Sequence, residues 1–285
     1  MTEILLRTGD LSFAYPERTG LFRSPAMRAV IRGVELAVPR GSVLGLVGES
    51  GSGKTTLGRL LVRLLEPTSG GIQFDGIEIS HLSEAELRPL RARIQMIFQD
   101  PQSSLNPRLR LAATLTRPLL LHGRMKTRRE QRDRAARLLD LVGLPPAFVD
   151  RYPHELSGGQ RQRAGIARAL ALQPDFIVAD EIVSGLDVST QAHILTLLKD
   201  LRARLGLTMV FISHDLSVVR VLCDDVAILN RGEVVEYGPV ARIYSSPQHA
   251  YTRQLLAAIP LPDVEPGWLE ESSPIVSPQQ QGSAA

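Results

Sequence analysis

The stretch GESGSGKTT, from Gly48 to Thr56, decides the fold of this chain. It fits the pattern G-x-x-x-x-G-K-[ST] through Gly48, Gly53, Lys54 and Thr55. The apolar run SVLGLV before it is typical of a buried strand, and the spacing of LGRLLVRLL after it is helical. A strand, a glycine-rich turn and a helix in this order predict a phosphate-binding loop in an α/β protein.

The residue types of this loop suit a nucleoside triphosphate. Glycines let backbone N–H groups surround phosphate oxygens, and the helix N-terminus favours negative charge. The Lys54 ammonium would reach the β- and γ-phosphates, and the Thr55 hydroxyl would ligate Mg²⁺. The predicted nucleotide-binding residues of the loop are Gly48, Ser50, Gly51, Ser52, Gly53, Lys54, Thr55 and Thr56.

Two carboxylates follow a second apolar run, FIVADE. The predicted strand delivers Asp180 to the edge of the sheet beside the phosphate loop, where a carboxylate can hold Mg²⁺. Glu181 comes next and would polarise a water for in-line attack on the γ-phosphate. An acidic pair after a strand is otherwise common as helix-capping chemistry, so the phosphate loop is what favours catalysis here.

Two further polar residues end apolar runs and are candidates for the same site. Gln99 follows IQMIF and could sense the metal or the attacking water, and His214 follows TMVFIS and could contact the γ-phosphate. Each residue alone would more often be an ordinary polar side chain at a strand end.

Composition narrows the class of protein. The chain has 285 residues, a formal net charge of +3 and a single cysteine, Cys223, which suits a reducing cytoplasm. It lacks any run of about 18 apolar residues, so no membrane-spanning segment is predicted. Aromatic residues are not interleaved with the basic ones, which disfavours a nucleic-acid surface.

The order of patterns predicts an α/β fold with a mixed sheet core, a small antiparallel β layer and an inserted helical lobe. The ATPase-type domain is predicted over residues 1–260, with the lobe at about 88–172, and residues 261–285 form a tail with a disordered composition. The stretch ERTGLFRSPAMR is predicted to be an irregular basic loop.

One motif is left over: ELSGGQRQR, from Glu155 to Arg163, places a serine and two glycines before an Arg-rich helix. Together with GESGSGKTT, FQDP, FIVADE, SGLD and ISHD, it resembles the nucleotide-binding subunits of ATP-binding cassette (ABC) transporters. In that family the LSGGQ loop contacts ATP held by a second subunit. The resemblance implies that Ser157, Gly158, Gly159 and Gln160 bind a partner's ATP.

The resemblance also assigns roles to single residues. Tyr15 would stack on adenine, Asp187 of SGLD would bridge the two subunits, and Gln99 would bind the metal and couple the site to the membrane subunit. Glu181 would be the catalytic base and His214 the switch histidine. The expected cofactors are ATP and Mg²⁺.

Segments outside these motifs resemble the oligopeptide and dipeptide importer ATPases, a group that includes nickel and opine importers. These segments are RIQMIFQDPQSSLNPR and the C-terminal YSSPQHAYTRQLLAAIP. The resemblance implies transmembrane permease subunits, a second ATPase subunit, an indirect solute-binding protein, no nucleic acid and a peripheral place at the cytoplasmic face of the inner membrane. Peptide import is the favoured activity, with nickel or opine import and a non-transport ABC role left open.

Two features depart from the group. Some members carry a cysteine cluster in the C-terminal region, whereas Cys223 lies upstream, so no iron–sulfur cluster is expected. Ile182 and Gly185 replace the usual proline and alanine after the catalytic glutamate. Loss of a fixed φ and gain of a glycine predict a looser loop with its catalytic side chains retained.

Overall fold

The strand that precedes the phosphate loop lies inside a six-stranded sheet in the computed structural model, which describes residues 3–17, 26–100 and 105–258. In spatial order the strands are β10 (Glu233–Pro239), β9 (Asp225–Asn230), β3 (Val43–Val47), β8 (Thr208–Ser213), β7 (Phe176–Asp180) and β6 (Ile94–Ile97). Neighbouring strands are parallel, except that β10 runs antiparallel to β9. The predicted mixed sheet core is confirmed.

A second sheet is antiparallel throughout and corresponds to the predicted small β layer. Its order is β2 (Ala26–Pro39), β1 (Ile4–Glu17), β4 (Ser69–Phe74) and β5 (Ile77–Glu78). The predicted irregular loop is wrong at its first residue, Glu17, which belongs to β1, and at its C-terminal end. Met27 pairs with Pro16 of β1, and Arg28 pairs with Tyr15. Because this pairing satisfies backbone hydrogen bonds, the C-terminal end of the predicted loop is part of β2. Residues 18–25 of that prediction lie outside the described residues.

The helices of the described residues lie between and after these strands. They are α1 (Lys54–Leu61), α2 (Glu84–Leu90), α3 (Leu111–Leu121), α4 (Arg128–Leu141), α5 (Gly158–Leu170), α6 (Val188–Leu205), α7 (Leu216–Leu222), α8 (Val240–Ser245) and α9 (Ala250–Ala257). Two short 3₁₀ helices, Pro146–Asp150 and Pro153–Glu155, precede α5. Among the described residues, none of the helices has the length and apolar character needed to cross a bilayer.

Hydrophobic side chains cover both faces of the six-stranded sheet. Side chains alternate along a strand, so Val43 and Val47 of β3 belong to one buried cluster while Leu44 and Leu46 belong to the other. Because β3 is buried on both faces, its C-terminal end gives the phosphate loop a fixed starting point.

The predicted lobe, 88–172, includes one strand of the main sheet. Ile94, Met96 and Ile97 of β6 are buried, and β6 pairs in parallel with β7. This part of the prediction is wrong, because three apolar residues around Gln95 make too short a run to be assigned to the main sheet from the sequence alone. The other boundaries stay predictions, and the predicted tail, 261–285, lies outside the described residues.

Candidate functional site

The phosphate loop turns sharply between β3 and α1 and requires glycine at defined points. A Cβ on Gly48 would lie 2.1 Å from the Leu229 carbonyl oxygen and 2.7 Å from Ser52 Oγ. Gly53, the N-cap of α1, has φ +108°, and Gly51 has φ +81°. These contacts and angles exclude ordinary side chains, so the glycines shape the loop as the motif predicts.

Lys54 folds back over its own loop. Its side chain is 5 % exposed, and Nζ donates to the carbonyl oxygens of Gly48 at 2.8 Å and Glu49 at 3.0 Å. Burial lowers the pKa of Lys54, while the nearby Glu181 and Asp180 carboxylates oppose that shift. A buried ammonium beside a glycine-rich turn is suited to bind phosphate oxygens.

Asp180 ends β7 next to the loop. Its side chain is 2 % exposed, and Thr55 Oγ1 donates to Asp180 Oδ1 at 3.1 Å. Burial raises the pKa of Asp180, and the Thr55 hydrogen bond opposes that rise. A hydroxyl and a carboxylate at this distance are hard oxygen donors of the kind Mg²⁺ prefers, with phosphates and waters completing its shell.

Glu181 is the centre of the candidate catalytic cluster. Gln99 Nε2 donates to Glu181 Oε2 at 3.2 Å, His214 Nδ1 lies 3.4 Å from Oε2, and Lys54 Nζ lies 3.9 Å from Oε1. The Glu181 backbone has φ +47°, an uncommon conformation for a residue with a side chain. Residues from three other segments of the chain therefore converge on the Glu181 carboxylate.

The LSGGQ residues lie at the N-terminus of α5. Ser157 Oγ accepts the Gln160 N–H at 3.3 Å, and Gln160 Oε1 accepts the Ser157 N–H at 3.0 Å, which makes a capping box. Ser157 and Gly158 are exposed. Within the described residues, no hydrogen bond or ion pair joins this group to the phosphate loop of the same chain.

Asp187 caps the neighbouring helix α6. It accepts hydrogen bonds from the Ser189 hydroxyl at 2.6 Å and the Thr190 N–H at 2.9 Å, and these bonds hold its pKa well below the usual range. A Cβ on Gly159 would lie 2.7 Å from Thr190 Cγ2. Asp187 and the LSGGQ loop therefore form adjacent parts of one surface.

The remaining predicted residues are less closely tied to the cluster. Tyr15 lies on β1 and is 36 % exposed. Its ring makes an edge-to-face contact with the Phe13 ring, with 4.7 Å between the ring centroids. Ser50 is exposed and Thr56 is half-buried. The Ser52 hydroxyl is buried and has no hydrogen-bond partner among the described residues, so it has capacity for a ligand atom.

The loop after Glu181 is held by a buried side chain, Ile182, whose burial the sequence did not predict. The Ile182 side chain is 1 % exposed within the hydrophobic core, and Gly185 has φ +74°, which glycine adopts without strain. The looser loop inferred from these two substitutions stays a prediction.

The structure also adds a residue to which the sequence gave no role. The Glu49 N–H, in the phosphate loop, donates to the Tyr251 hydroxyl oxygen at 3.1 Å. Tyr251 belongs to the C-terminal segment YSSPQHAYTRQLLAAIP, which marked the importer group without suggesting any contact. A contact between residues 202 positions apart leaves no local pattern.

A parallel α/β sheet that presents a phosphate loop, a carboxylate beside the loop's threonine and a second carboxylate nearby defines a P-loop nucleoside triphosphatase. The chain belongs to the ABC transporter family, whose sequence model matches residues 31–184. Its enzymatic activity is that of an ATPase.

Individual proteins agree with this assignment. A putative peptide import ATP-binding protein of Brucella ovis is 52 % identical over 264 residues, covering 92 % of this chain and 81 % of the relative. A probable peptide ABC transporter ATP-binding protein of Sinorhizobium fredii is 48 % identical, covering 92 % and 74 %. The dimeric post-hydrolysis structure of the cassette MJ0796, bound to ADP and Pi, superposes with a TM-score of 0.73 at 32 % identity, covering 83 % of this chain and 99 % of that one.

Proposed function

We propose that this chain is the ATP-hydrolysing subunit of an importer that takes up oligopeptides or dipeptides through a separate membrane permease. The observation that carries the proposal is the cluster around Glu181, which brings Lys54, Gln99 and His214 to one carboxylate. The names of the two relatives support the substrate class, since both describe peptide transport.

The nucleotide is held by the phosphate loop. Backbone N–H groups from Ser50 to Thr56 surround the β-phosphate, and Lys54 exchanges its bonds to the Gly48 and Glu49 carbonyls for phosphate oxygens. Tyr15, exposed on β1, stacks on the adenine ring.

Thr55 and Asp180 would hold Mg²⁺, and Gln99, whose amide nitrogen lies 3.2 Å from Glu181 Oε2, would complete the set. When bound, the cation neutralises developing phosphate charge. Thr55 and Asp180 are already in contact at 3.1 Å, so little rearrangement of these two side chains is required.

Hydrolysis depends on Glu181 as general base. The carboxylate accepts a proton as the water oxygen bonds to the γ-phosphorus, and the bond from that phosphorus to the β–γ bridging oxygen breaks to release ADP. His214, 58 % exposed and beside Glu181 Oε2, donates to a γ-phosphate oxygen. Gln99 orients the carboxylate through its amide N–H.

A second cassette completes the site. Ser157 and Gly158 are exposed at a helix N-terminus, a position that favours an anion, yet they make no hydrogen bond to the described part of their own phosphate loop. The Ser157 hydroxyl and the adjacent N–H groups therefore cap ATP bound to a partner, with Gln160 and Asp187 at the same interface. Another copy of this chain, or a related ATPase subunit, supplies that partner.

The permease docks in the groove beside the helical lobe, at the cytoplasmic face of the membrane. This groove has a volume of about 570 Å³, and Leu64 and Leu121 in its lining are 49 % and 64 % exposed. Exposed leucines around a concave surface are suited to an apolar partner helix. A solute-binding protein acts only indirectly, through the permease.

The test is solute uptake by cells that carry the complete transporter. Glu181→Gln should abolish uptake of a labelled dipeptide and a labelled oligopeptide, while Glu233→Gln, which removes only a surface ion pair with Arg32, should not. If the cells take up nickel in a Glu181-dependent way and take up no peptide, the transported solute is a metal ion and peptide import is contradicted.

A further inference from the structure

The C-terminal segment from Glu236 to Ala257 ends in a helix that reaches the phosphate loop. Glu236 of β10 is 9 % exposed, and its carboxylate accepts the N–H groups of Gln248 at 2.8 Å and His249 at 3.0 Å. His249 Nδ1 in turn accepts the Tyr251 N–H at 3.2 Å and caps α9. A buried carboxylate thus fixes the start of this helix and the direction of its first turn.

Glu236 is ionised for this role. Burial disfavours its charge, but the Gln248 and His249 N–H donors, together with the Thr252 hydroxyl and the Arg242 guanidinium, lower the pKa of the carboxyl below its ordinary value. Such charge-assisted hydrogen bonds are stronger than neutral ones. The start of α9 is therefore held more firmly than that of a helix with a solvent-exposed cap.

The Glu49 backbone is held from both sides. Its N–H donates to the Tyr251 hydroxyl at 3.1 Å, and its carbonyl accepts from Lys54 Nζ at 3.0 Å. Glu49 directly follows Gly48, at the point where the chain leaves β3 and enters the loop. The Glu49 carbonyl also accepts the Ser52 N–H at 3.1 Å, a bond within the loop itself. When Lys54 turns toward phosphate, the Tyr251 bond is the restraint on the Glu49 peptide that comes from outside the loop.

We propose that Tyr251 is a positioning residue for the phosphate loop, through which the C-terminal helix sets the affinity for ATP. The inference rests on the proposed function, since it requires ATP to bind at this loop. Tyr251 acts without touching the nucleotide: it keeps the Glu49 peptide in place, so less conformational freedom is lost when phosphate binds.

The test uses Tyr251→Phe, which keeps the ring and removes only the hydroxyl. We expect the Kd for ATP with Mg²⁺ to rise about two- to tenfold, as for loss of one neutral hydrogen bond, with kcat at saturating ATP unchanged. Hydrogen exchange of the Glu49 amide should accelerate, while exchange within β3 stays constant.

A matched control is Tyr237→Phe. The Tyr237 hydroxyl donates to the Ala37 carbonyl oxygen at 2.9 Å, away from the loop, so this variant loses an equivalent bond and should keep the wild-type Kd. Glu236→Gln should weaken ATP binding in the same direction as Tyr251→Phe. The double variant should bind no more weakly than Tyr251→Phe, because Glu236 acts through Tyr251.

An unchanged Kd in Tyr251→Phe would overturn the positioning role, whatever the exchange rate of Glu49. Additive losses in the double variant would overturn the route from Glu236 through Tyr251. Lys54→Ala separates this failure from that of the proposed function: if Lys54→Ala binds ATP normally, the nucleotide site itself is misassigned.

Discussion

Replacement of Glu181 by Gln tests the chemistry at the centre of the cluster. The amide keeps the size of the side chain and an oxygen that can accept the Gln99 N–H bond, but it cannot take a proton from water. Loss of a positioned general base lowers a rate by about 10²- to 10⁴-fold, or about 3–5 kcal/mol of barrier. The variant also removes the negative charge 3.9 Å from Lys54 Nζ, so ATP affinity should stay at or above the wild-type level.

The assay compares phosphate release at saturating ATP and Mg²⁺ with the Kd from nucleotide titration. Glu233→Gln is the matched control, because it makes the same chemical change at a side chain that is 57 % exposed in a surface ion pair. We expect the control to hydrolyse at the wild-type rate. Turnover by Glu181→Gln within about tenfold of wild type would remove Glu181 from the role of general base.

Two further predictions concern affinity and pH. Lys54→Ala should weaken ATP binding by about 10- to 150-fold, since a charge-assisted bond to phosphate contributes about 1.5–3 kcal/mol; equal Kd values in titration would contradict this. Glu236 has a lowered pKa in the folded state, so its contribution to stability is present above its unfolded pKa of about 4.3 and is lost as the pH falls through the folded value. The melting temperature of Glu236→Gln should therefore lie below that of the wild type at neutral pH, and the difference should disappear in acid. A difference that does not change with pH would refute the link between Glu236 ionisation and stability.

The parts of the fold that were predicted correctly are those with local sequence signals. About ten consecutive residues are enough to show the glycine pattern at Gly48 and Gly53, and the same holds for the apolar strands before Asp180 and His214. The structure places these features as expected. Parallel strands then bring their C-terminal ends to one edge of the sheet, which explains the meeting of Glu181 with His214.

The parts that were missed depend on distant partners. The four residues of β6, three of them apolar, become a strand only because β7 pairs with them, and residues 26–28 become a strand only because β1 does. The bond from Glu49 to Tyr251 joins the two ends of the domain, so neither residue marks it in its own neighbourhood. The role of Tyr15 stays a prediction, because its ring contact with Phe13 does not report on adenine.

The most direct test of the account mixes two inactive variants of the purified chain. Lys54→Ala should lack a working phosphate loop, whereas Ser157→Arg should keep its own ATP binding but block the surface proposed to cap a partner's nucleotide. If ATP is hydrolysed between two copies, a mixed dimer contains one intact site, made from the phosphate loop of the Ser157→Arg chain and the LSGGQ loop of the Lys54→Ala chain. Random pairing makes about half of the dimers mixed, so the mixture should recover about a quarter of wild-type ATPase activity. A mixture no more active than its separate components would contradict a site shared between two copies of this chain, and loss of ATP binding by the folded Ser157→Arg monomer would show that Ser157 serves its own phosphate loop.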